Sequence, residues 1–400
     1  MLKAFLSTSI RGAAFAAFFF VSCVSGEHGT NPPVSSEEWG WRSAGLTASG
    51  TDLSDNAGYQ RITHVGLQIF AMDAKTVDGL RKYRMFTSRQ GSMIWDTLWI
   101  PGKLAPYSWL PDSPFVYIGT QETGGIWRFD TRDQSWLDMN TGADSGFSVI
   151  GMAKFKGGII ASLASPDKEA RPILWNATGK WIDVNSAGQF PLSRSFHTGI
   201  EYHGTFYAAT YDTSVWAWTP SDAQWKKIQD PSSAFDTTKH DGRFPRSMAV
   251  FNDSLYVGFY NRTGVQKLVN GSSWVPVDSC YVYPKDGTTI ALCKTPADAY
   301  TMTTWNNHLL VAGTWSAIPV VYMAPAQPKG WALLGGDTWK GGMGTTYDMT
   351  VVGDTLYTAS WDAVWKYPLN QLDSSVTKYS AYPTIPSSSV LVSSASTASK

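Results

Sequence analysis

His197-Thr-Gly-Ile-Glu-Tyr-His-Gly204, Thr205-Phe-Tyr-Ala-Ala-Thr210, Val215-Trp-Ala-Trp218 and Gln224-Trp-Lys-Lys-Ile228 are four short segments, rich in aromatic residues and separated by polar turns. Segments of this length and composition make strands rather than helices. The chain then repeats the order, as Ser247-Met-Ala-Val-Phe-Asn-Asp253, Ser254-Leu-Tyr-Val-Gly258, Val265-Gln-Lys-Leu268 and Ser273-Trp-Val-Pro-Val277. A lone four-stranded sheet cannot cover both of its faces. Repeated sheets stacked face to face bury their alternating apolar residues and large Trp rings against one another.

Outward from this pair, the second strands align as Phe115-Val-Tyr-Ile-Gly119, Gly158-Ile-Ile-Ala161, Thr205-Phe-Tyr-Ala208, Ser254-Leu-Tyr-Val257, Leu309-Leu-Val-Ala312 and Thr355-Leu-Tyr-Thr358. They recur about every 43 to 54 residues, the period of propeller blades. A Trp closes five units, at Trp136, Trp181, Trp225, Trp274 and Trp331. A more divergent unit precedes them, with Leu67-Gln-Ile-Phe-Ala71, Leu80-Arg-Lys-Tyr-Arg84 and Ser92-Met-Ile-Trp95. The expected fold is therefore all-β, a seven-bladed β-propeller of four-stranded blades. The seventh unit, Tyr347 to Tyr367, has no fourth strand with Trp, whereas Glu38-Trp-Gly-Trp-Arg42 resembles an orphaned one. Closure of the ring by this N-terminal strand is expected, with Ser374-Ser-Val-Thr-Lys-Tyr379 as the competing strand. Closure removes the exposed edges that invite aggregation.

Ile126-Trp-Arg-Phe-Asp130, Thr131-Arg-Asp-Gln-Ser135 and Trp136-Leu-Asp-Met139 resemble the second half of a kelch repeat, as do Val215-Trp-Ala-Trp218 with Gln224-Trp225 and Leu174-Trp175 with Lys180-Trp181. The resemblance covers most of residues 60 to 367 as a pattern and implies a kelch-like propeller. Where kelch repeats carry a Gly-Gly pair, this chain has Gly119-Thr120, Ala208-Ala209, Val257-Gly258 and Ala359-Ser360.

The 400 residues include 32 basic and 32 acidic side chains, a formal charge of zero that removes the electrostatic case for nucleic acid or an anionic membrane as main partner. Aromatic residues make up 14%, with 36 Gly and 21 Pro supplying turns, which disfavours helical bundles and coiled coils. Lys3 and Arg11 followed by the uncharged run Gly12 to Val24 have the form of a secretory signal peptide over residues 1–26. Phe19-Phe20-Val21-Ser22-Cys23 also resembles a bacterial lipoprotein box, which would place a lipid on Cys23. Residues 27–369 would form the propeller, and residues 370–400 a Ser/Thr-rich flexible tail. No transmembrane segment is expected beyond the leader. Export would allow Cys280 and Cys293 to pair, and Asn176, Asn252, Asn261 and Asn270 are N-x-S/T acceptors if the host is a eukaryote.

No metal or cofactor is expected. The six His show no close pair at metal-ligand spacing, and no HExxH, GxSxG, P-loop or EF-hand pattern occurs. A galactose-oxidase-like copper site would need a Cys better used in the Cys280–Cys293 pair. The repeated S-x-D-x-G-x-T-W boxes of sialidases are matched only in part, once, at Gly336-Asp-Thr-Trp339.

In a propeller the fourth-to-first and second-to-third connections share one face. The first set brings Asp144, Arg194, His197, Arg246, Asp298, Tyr300, Tyr347 and Asp348, and the second Glu122, Tyr211, Asp212, Tyr260, Trp315, Trp361 and Asp362. Aromatics beside carboxylates and arginines suit sugar rings and their hydroxyls, or a protein hot spot. The expected function is an exported, non-catalytic module binding an extracellular glycan or protein. The alternatives are a carbohydrate-active hydrolase or lyase using carboxylates such as Asp212, Asp348 or Asp362, and a structural surface protein.

Overall fold

A computed structural model describes residues 42–47, 58–77, 80–142, 146–165, 170–176, 178–185, 195–210, 214–222, 224–228, 245–259, 265–277, 280–285, 288–293, 299–313, 320–323, 332–334, 346–360 and 363–371. Its first strand, β1 (Arg42–Thr47), belongs to the last blade. Blade I is β2 (Gly58–Val65), β3 (Gln68–Val77), β4 (Leu80–Arg89) and β5 (Asp96–Leu98). Blade II is β6 (Pro106–Asp112), β7 (Phe115–Thr120), β8 (Ile126–Asp130) and β9 (Trp136–Asp138). Blade III follows as β10 (Ser148–Phe155), β11 (Gly158–Ala164), β12 (Arg171–Trp175) and β13 (Trp181–Asp183). Blade IV comprises β14 (Phe196–Tyr202), β15 (Thr205–Thr210), β16 (Val215–Trp218) and β17 (Lys226–Lys227). Blade V comprises β18 (Pro245–Phe251), β19 (Ser254–Phe259), β20 (Val265–Val269) and β21 (Ser273–Pro276). A separate hairpin, β22 (Cys280–Lys285) with β23 (Thr288–Cys293), intervenes before blade VI, which is β24 (Thr301–Trp305), β25 (His308–Ala312), β26 (Val320–Met323) and β27 (Ala332–Leu333). Blade VII is β28 (Thr346–Val352), β29 (Thr355–Ser360) and β30 (Ala363–Pro368), completed by β1.

The first strands touch in turn from β2 through β6, β10, β14, β18, β24 and β28, and β28 returns to β2, so the ring is closed. Each of the seven junctions has its own apolar cluster. Phe155, Phe196, Phe206, Trp218 and Trp225 fill the one between blades III and IV. The fourth strands of blades I to VI span only two to four residues, which leaves short edges at the rim.

An N-terminal strand closes the ring as expected, β1 at Arg42–Thr47 with Arg42 opposite Lys366 and Thr47 opposite Ala363, and of the expected segment Glu38–Arg42 only Arg42 is among the described residues. Ala44 is fully buried, and Gly45, at φ +88, passes so close to blade I that a Cβ would lie 2.3 Å from the Met93 carbonyl oxygen. Only small residues fit there. The Trp95 indole donates to the Ala44 carbonyl at 2.8 Å. Trp181 donates in the same way to Met139 of blade II at 3.0 Å, and Trp225 to Val184 of blade III at 2.9 Å. Trp95, Trp181 and Trp225 are thus hydrogen-bonded links to the preceding blade as well as packing elements, whereas the buried Trp274 Nε1 has no hydrogen-bond partner among the described residues.

The leader expected at residues 1–26, Cys23, the competing strand at 374–379 and the tail beyond residue 371 lie outside the described residues. No helix among the described residues is long and apolar enough to cross a membrane.

Replacing Gly45 by Ala should lower the melting temperature more than replacing Gly157, whose φ of +76 carries the same strain but whose added Cβ meets nothing within 4 Å. The strain alone is worth about 1–2 kcal/mol. Equal losses for G45A and G157A would show that the approach to Met93 does not limit closure.

Candidate functional site

The inner strands share an irregularity that positions side chains at one end of the central channel. Pairing skips a residue between Tyr59 and Arg61, Pro106 and Ser108, Val149 and Gly151, Phe196 and Thr198, Pro245 and Ser247, and Thr346 and Asp348. In each case the skip falls opposite the fifth and sixth residues of the second strand, so the six bulges are equivalent. The extra residues are Gln60, Tyr107, Ile150, His197, Arg246 and Tyr347. Blade VI has no bulge, but the Tyr300 amide donates to the Ala312 carbonyl at 2.8 Å and puts Tyr300 in the corresponding place. A bulge re-aims the side chain it carries and breaks the regular ladder. Each sits at the start of an inner strand, where the connection from the preceding blade arrives.

The next residue along each strand forms a second level, Arg61, Ser108, Gly151, Thr198, Ser247, Thr301 and Asp348, and this level stitches the blades together. Ser108 Oγ donates to the Val149 carbonyl at 2.6 Å, and Ser247 Oγ to the Ala299 carbonyl at 2.9 Å. A Cβ on Gly151 would lie 2.8 Å from the Phe196 carbonyl oxygen, so blades III and IV approach there without room for a side chain. Asp348 joins three blades. Its Oδ2 accepts the Ile62 amide of blade I at 3.1 Å, and its Oδ1 accepts Thr301 Oγ1 of blade VI at 3.2 Å and its own neighbour's amide, Met349, at 2.9 Å.

Among the bulge-level residues, Arg246 Nη2 donates to the Tyr300 hydroxyl at 2.7 Å, with the guanidinium carbon 4.5 Å from the Tyr300 ring centre. Tyr300 meets Tyr347 edge-on at 5.7 Å. His197 is buried, and burial holds its pKa well below the usual value, with the charges of Arg246 and then Arg61 adding to the effect. Burial raises the pKa of Asp348, opposed by Arg61 and by the three donors. The shared register places Arg61, His197, Arg246, Tyr347 and Asp348 at the same end of the inner strands.

Of the residues expected from sequence, His197, Arg246, Tyr300, Tyr347 and Asp348 are brought together. Asp348 has its carboxylate committed to structure. Arg194, Tyr211, Asp212, Tyr260, Trp315, Trp361 and Asp362 lie outside the described residues, as do Asp144, Asp298 and Asn261. Arg61 was not among the expected residues, although Gly58–Val65 aligned under the other inner strands places it in a column otherwise holding Ser, Gly, Thr and Asp. Asn252 lies in a first-to-second turn, and Asn176 and Asn270 in third-to-fourth turns, at the end opposite the bulges. No cluster of three or more His, Cys, Asp or Glu suited to a metal occurs among the described residues.

The chain matches no family model and no curated protein sequence. Solved structures similar to it include the WD40 β-propeller domain of Doa1, at 13% identity and a TM-score of 0.52 over 82% of this chain and 96% of that one. YCF48 bound to D1 peptide is similar at 12% identity and a TM-score of 0.51, again over 82% and 96%. The extracellular domain of a two-component-system protein from B. thetaiotaomicron gives 9% identity and a TM-score of 0.54 over 82% of this chain, which spans only 39% of that one. At these identities the likeness is one of fold, and it agrees with the seven four-stranded sheets in making the chain a β-propeller.

A buried base with a lowered pKa takes up fewer protons folded than unfolded. The stability tied to His197, and to His64, whose pKa burial also lowers, is complete above the ordinary histidine value of 6.5 and declines as pH falls below it. Asp348 acts in the opposite sense. Melting temperatures between pH 8 and 5 should therefore fall more steeply on the acid side for the native protein than for His197→Gln. Parallel curves would show that this imidazole does not stay neutral in the fold.

Proposed function

We propose that the chain is an exported, non-catalytic recognition protein that binds a glycan or protein ligand at the bulged end of the propeller channel. The observation that carries the reading is the convergence of Arg61, His197, Arg246, Tyr300 and Tyr347 from five blades on one mouth. Ligand sites favour such concave places where a few polar groups meet aromatic walls. The repeats are read as kelch-like, on the aromatic third strand, polar turn and Trp that recur from blade to blade.

The enzyme reading asks for facing carboxylates. Asp348 already accepts three hydrogen bonds, which disfavours it as acid or base. The leader, the tail and the N-x-S/T sites fit an exported chain. The register of the inserted hairpin supports the Cys280–Cys293 pair, because the two residues are cross-strand partners. Directly opposed antiparallel residues have Cα atoms about 4.5–5.5 Å apart, within the span of a disulfide. Since fourth-to-first connections arrive at the bulged end, a bridge there would stiffen the rim of the mouth.

The purified mature protein should bind a subset of a broad glycan array saturably and leave the same glycans uncleaved after long incubation. Released products would replace the recognition reading with the hydrolase or lyase. Under denaturing, non-reducing conditions Cys280 and Cys293 should resist alkylation; labelling of both would remove the bridge.

A further inference from the structure

Blade VII carries three buried hydroxyls on one face. Thr346, Thr358 and Ser360 are wholly enclosed, and none of their side-chain oxygens has a hydrogen-bond partner among the described residues. Register brings the three together. Thr346 lies directly opposite Ser360 across the β28–β29 pair, and Thr358 stands two residues before Ser360 on the same side of β29. That side faces blade VI, because Leu356 and Met349, which share it, pack with Leu310, Ala312 and Leu334, and the Thr346 amide donates to the Gly313 carbonyl at 3.3 Å. Elsewhere these positions are apolar or satisfied. Thr358 stands in the column of Ala71, Ile118, Ala161, Ala208, Val257 and Val311, each buried in the cluster against its preceding blade. Thr346 stands where blades III and IV have Val149 and Phe196, and Ser360 where blades III and V have Leu163 and Phe259. Where the Ser360 column keeps a hydroxyl, at Thr120 and Thr210, it donates to the Gly125 and Ser214 carbonyls at 2.9 and 3.0 Å. A hydroxyl withdrawn from water without a new bond costs free energy, and three of them on one face call for a shared partner.

We infer that the junction of blades VI and VII is a binding site for ordered water, held by Thr346, Thr358 and Ser360 one residue from the bulge at Tyr347. Water donates and accepts, as each hydroxyl does, and a buried water typically makes about three hydrogen bonds. Side chains directly opposed across two strands, and those two apart along one strand, stand about 5 and 7 Å from each other, distances that one or two bridging waters span. The three side chains are also small for their positions. Together they are smaller than Val149, Ala161 and Leu163 of blade III, or Pro245, Val257 and Phe259 of blade V. A metal cation is less suited, because the three groups are neutral and the Asp348 carboxylate of the same strand already accepts from Ile62, Met349 and Thr301. Blades VI and VII are therefore joined at this level through solvent, where the corresponding side chains of blades III and V meet their neighbours through apolar contact. The site does not depend on what the mouth binds.

The test joins a high-resolution crystal structure of the full mature protein with the melting temperature of T358V. An ordered water should lie within about 3.2 Å of at least two of the three hydroxyl oxygens. Val matches Thr in shape, and Val257 and Val311 already occupy the same column in blades V and VI. If the Thr358 hydroxyl holds a water, T358V should melt about 2 °C or more below the native protein, because the water and the remaining hydroxyls lose a partner. An unchanged or higher melting temperature would overturn the assignment, since removing a hydroxyl that has no partner costs nothing. Direct bonds from all three hydroxyls to protein groups in the crystal, or a cation in place of water, would overturn it as well. Should T358V fail to fold, the native crystal structure decides alone.

Discussion

The architecture depends on how closely seven inner strands can approach around one axis. At the level of Ser108, Gly151, Ser247, Thr301 and Asp348, the space between blades admits a hydroxyl, a carboxylate or no side chain at all. Each group there accepts or donates across a junction, so polar backbone atoms that the sheets leave over are satisfied by the neighbouring blade. Asp348 is the extreme case, since one carboxylate serves both neighbours of its blade. Further out, an apolar cluster completes each junction, and the indoles of Trp95, Trp181 and Trp225 add a hydrogen bond at three of them. The small second-strand residues belong to the same constraint. A Cβ on Gly119 would sit 2.5 Å from the Val149 side chain, and one on Gly258 2.5 Å from the Ala299 carbonyl oxygen.

This constraint also explains what could be read in advance. The four-segment repeat, the Trp positions and closure by the N-terminal segment were legible because burial and period act on every copy. The close fit of β1 was not, because it depends on clearance between Gly45 and the Met93 carbonyl of blade I, a contact that neither segment announces by itself. At the site, His197, Arg246, Tyr300 and Tyr347 could be anticipated from their place at the start of inner strands. Arg61 could not, because blade I is the most divergent copy and its first strand carries no Trp or Gly signature. The bulges were invisible for a different reason. They are a property of pairing between two strands, and no single segment announces them.

The site and the scaffold use neighbouring residues for opposite purposes. The stitching level favours small groups with fixed partners, and the bulge level takes one residue out of the regular register in six of the seven blades. A single chain can therefore vary the mouth without loosening the ring. Blade IV carries an imidazole there, blade V a guanidinium and blades II, VI and VII phenols, while the residues immediately following keep the blades joined. Arg61 departs from this division, as a residue of the scaffold column with the chemistry of the mouth.

Blade VII is made from both ends of the chain, since Arg42 pairs with Lys366. Until the last three strands exist, the first strand has nowhere to go, and Ile62, Ile69 and Ala71 of blade I lack the opposite wall of their cluster. During synthesis, the ring remains an open arc with two unsatisfied edges. Pairing across so long a separation is slow relative to local hairpin formation. The interval before closure is when the protein is most exposed to aggregation and proteolysis, and its length is set by the time needed to deliver Pro368.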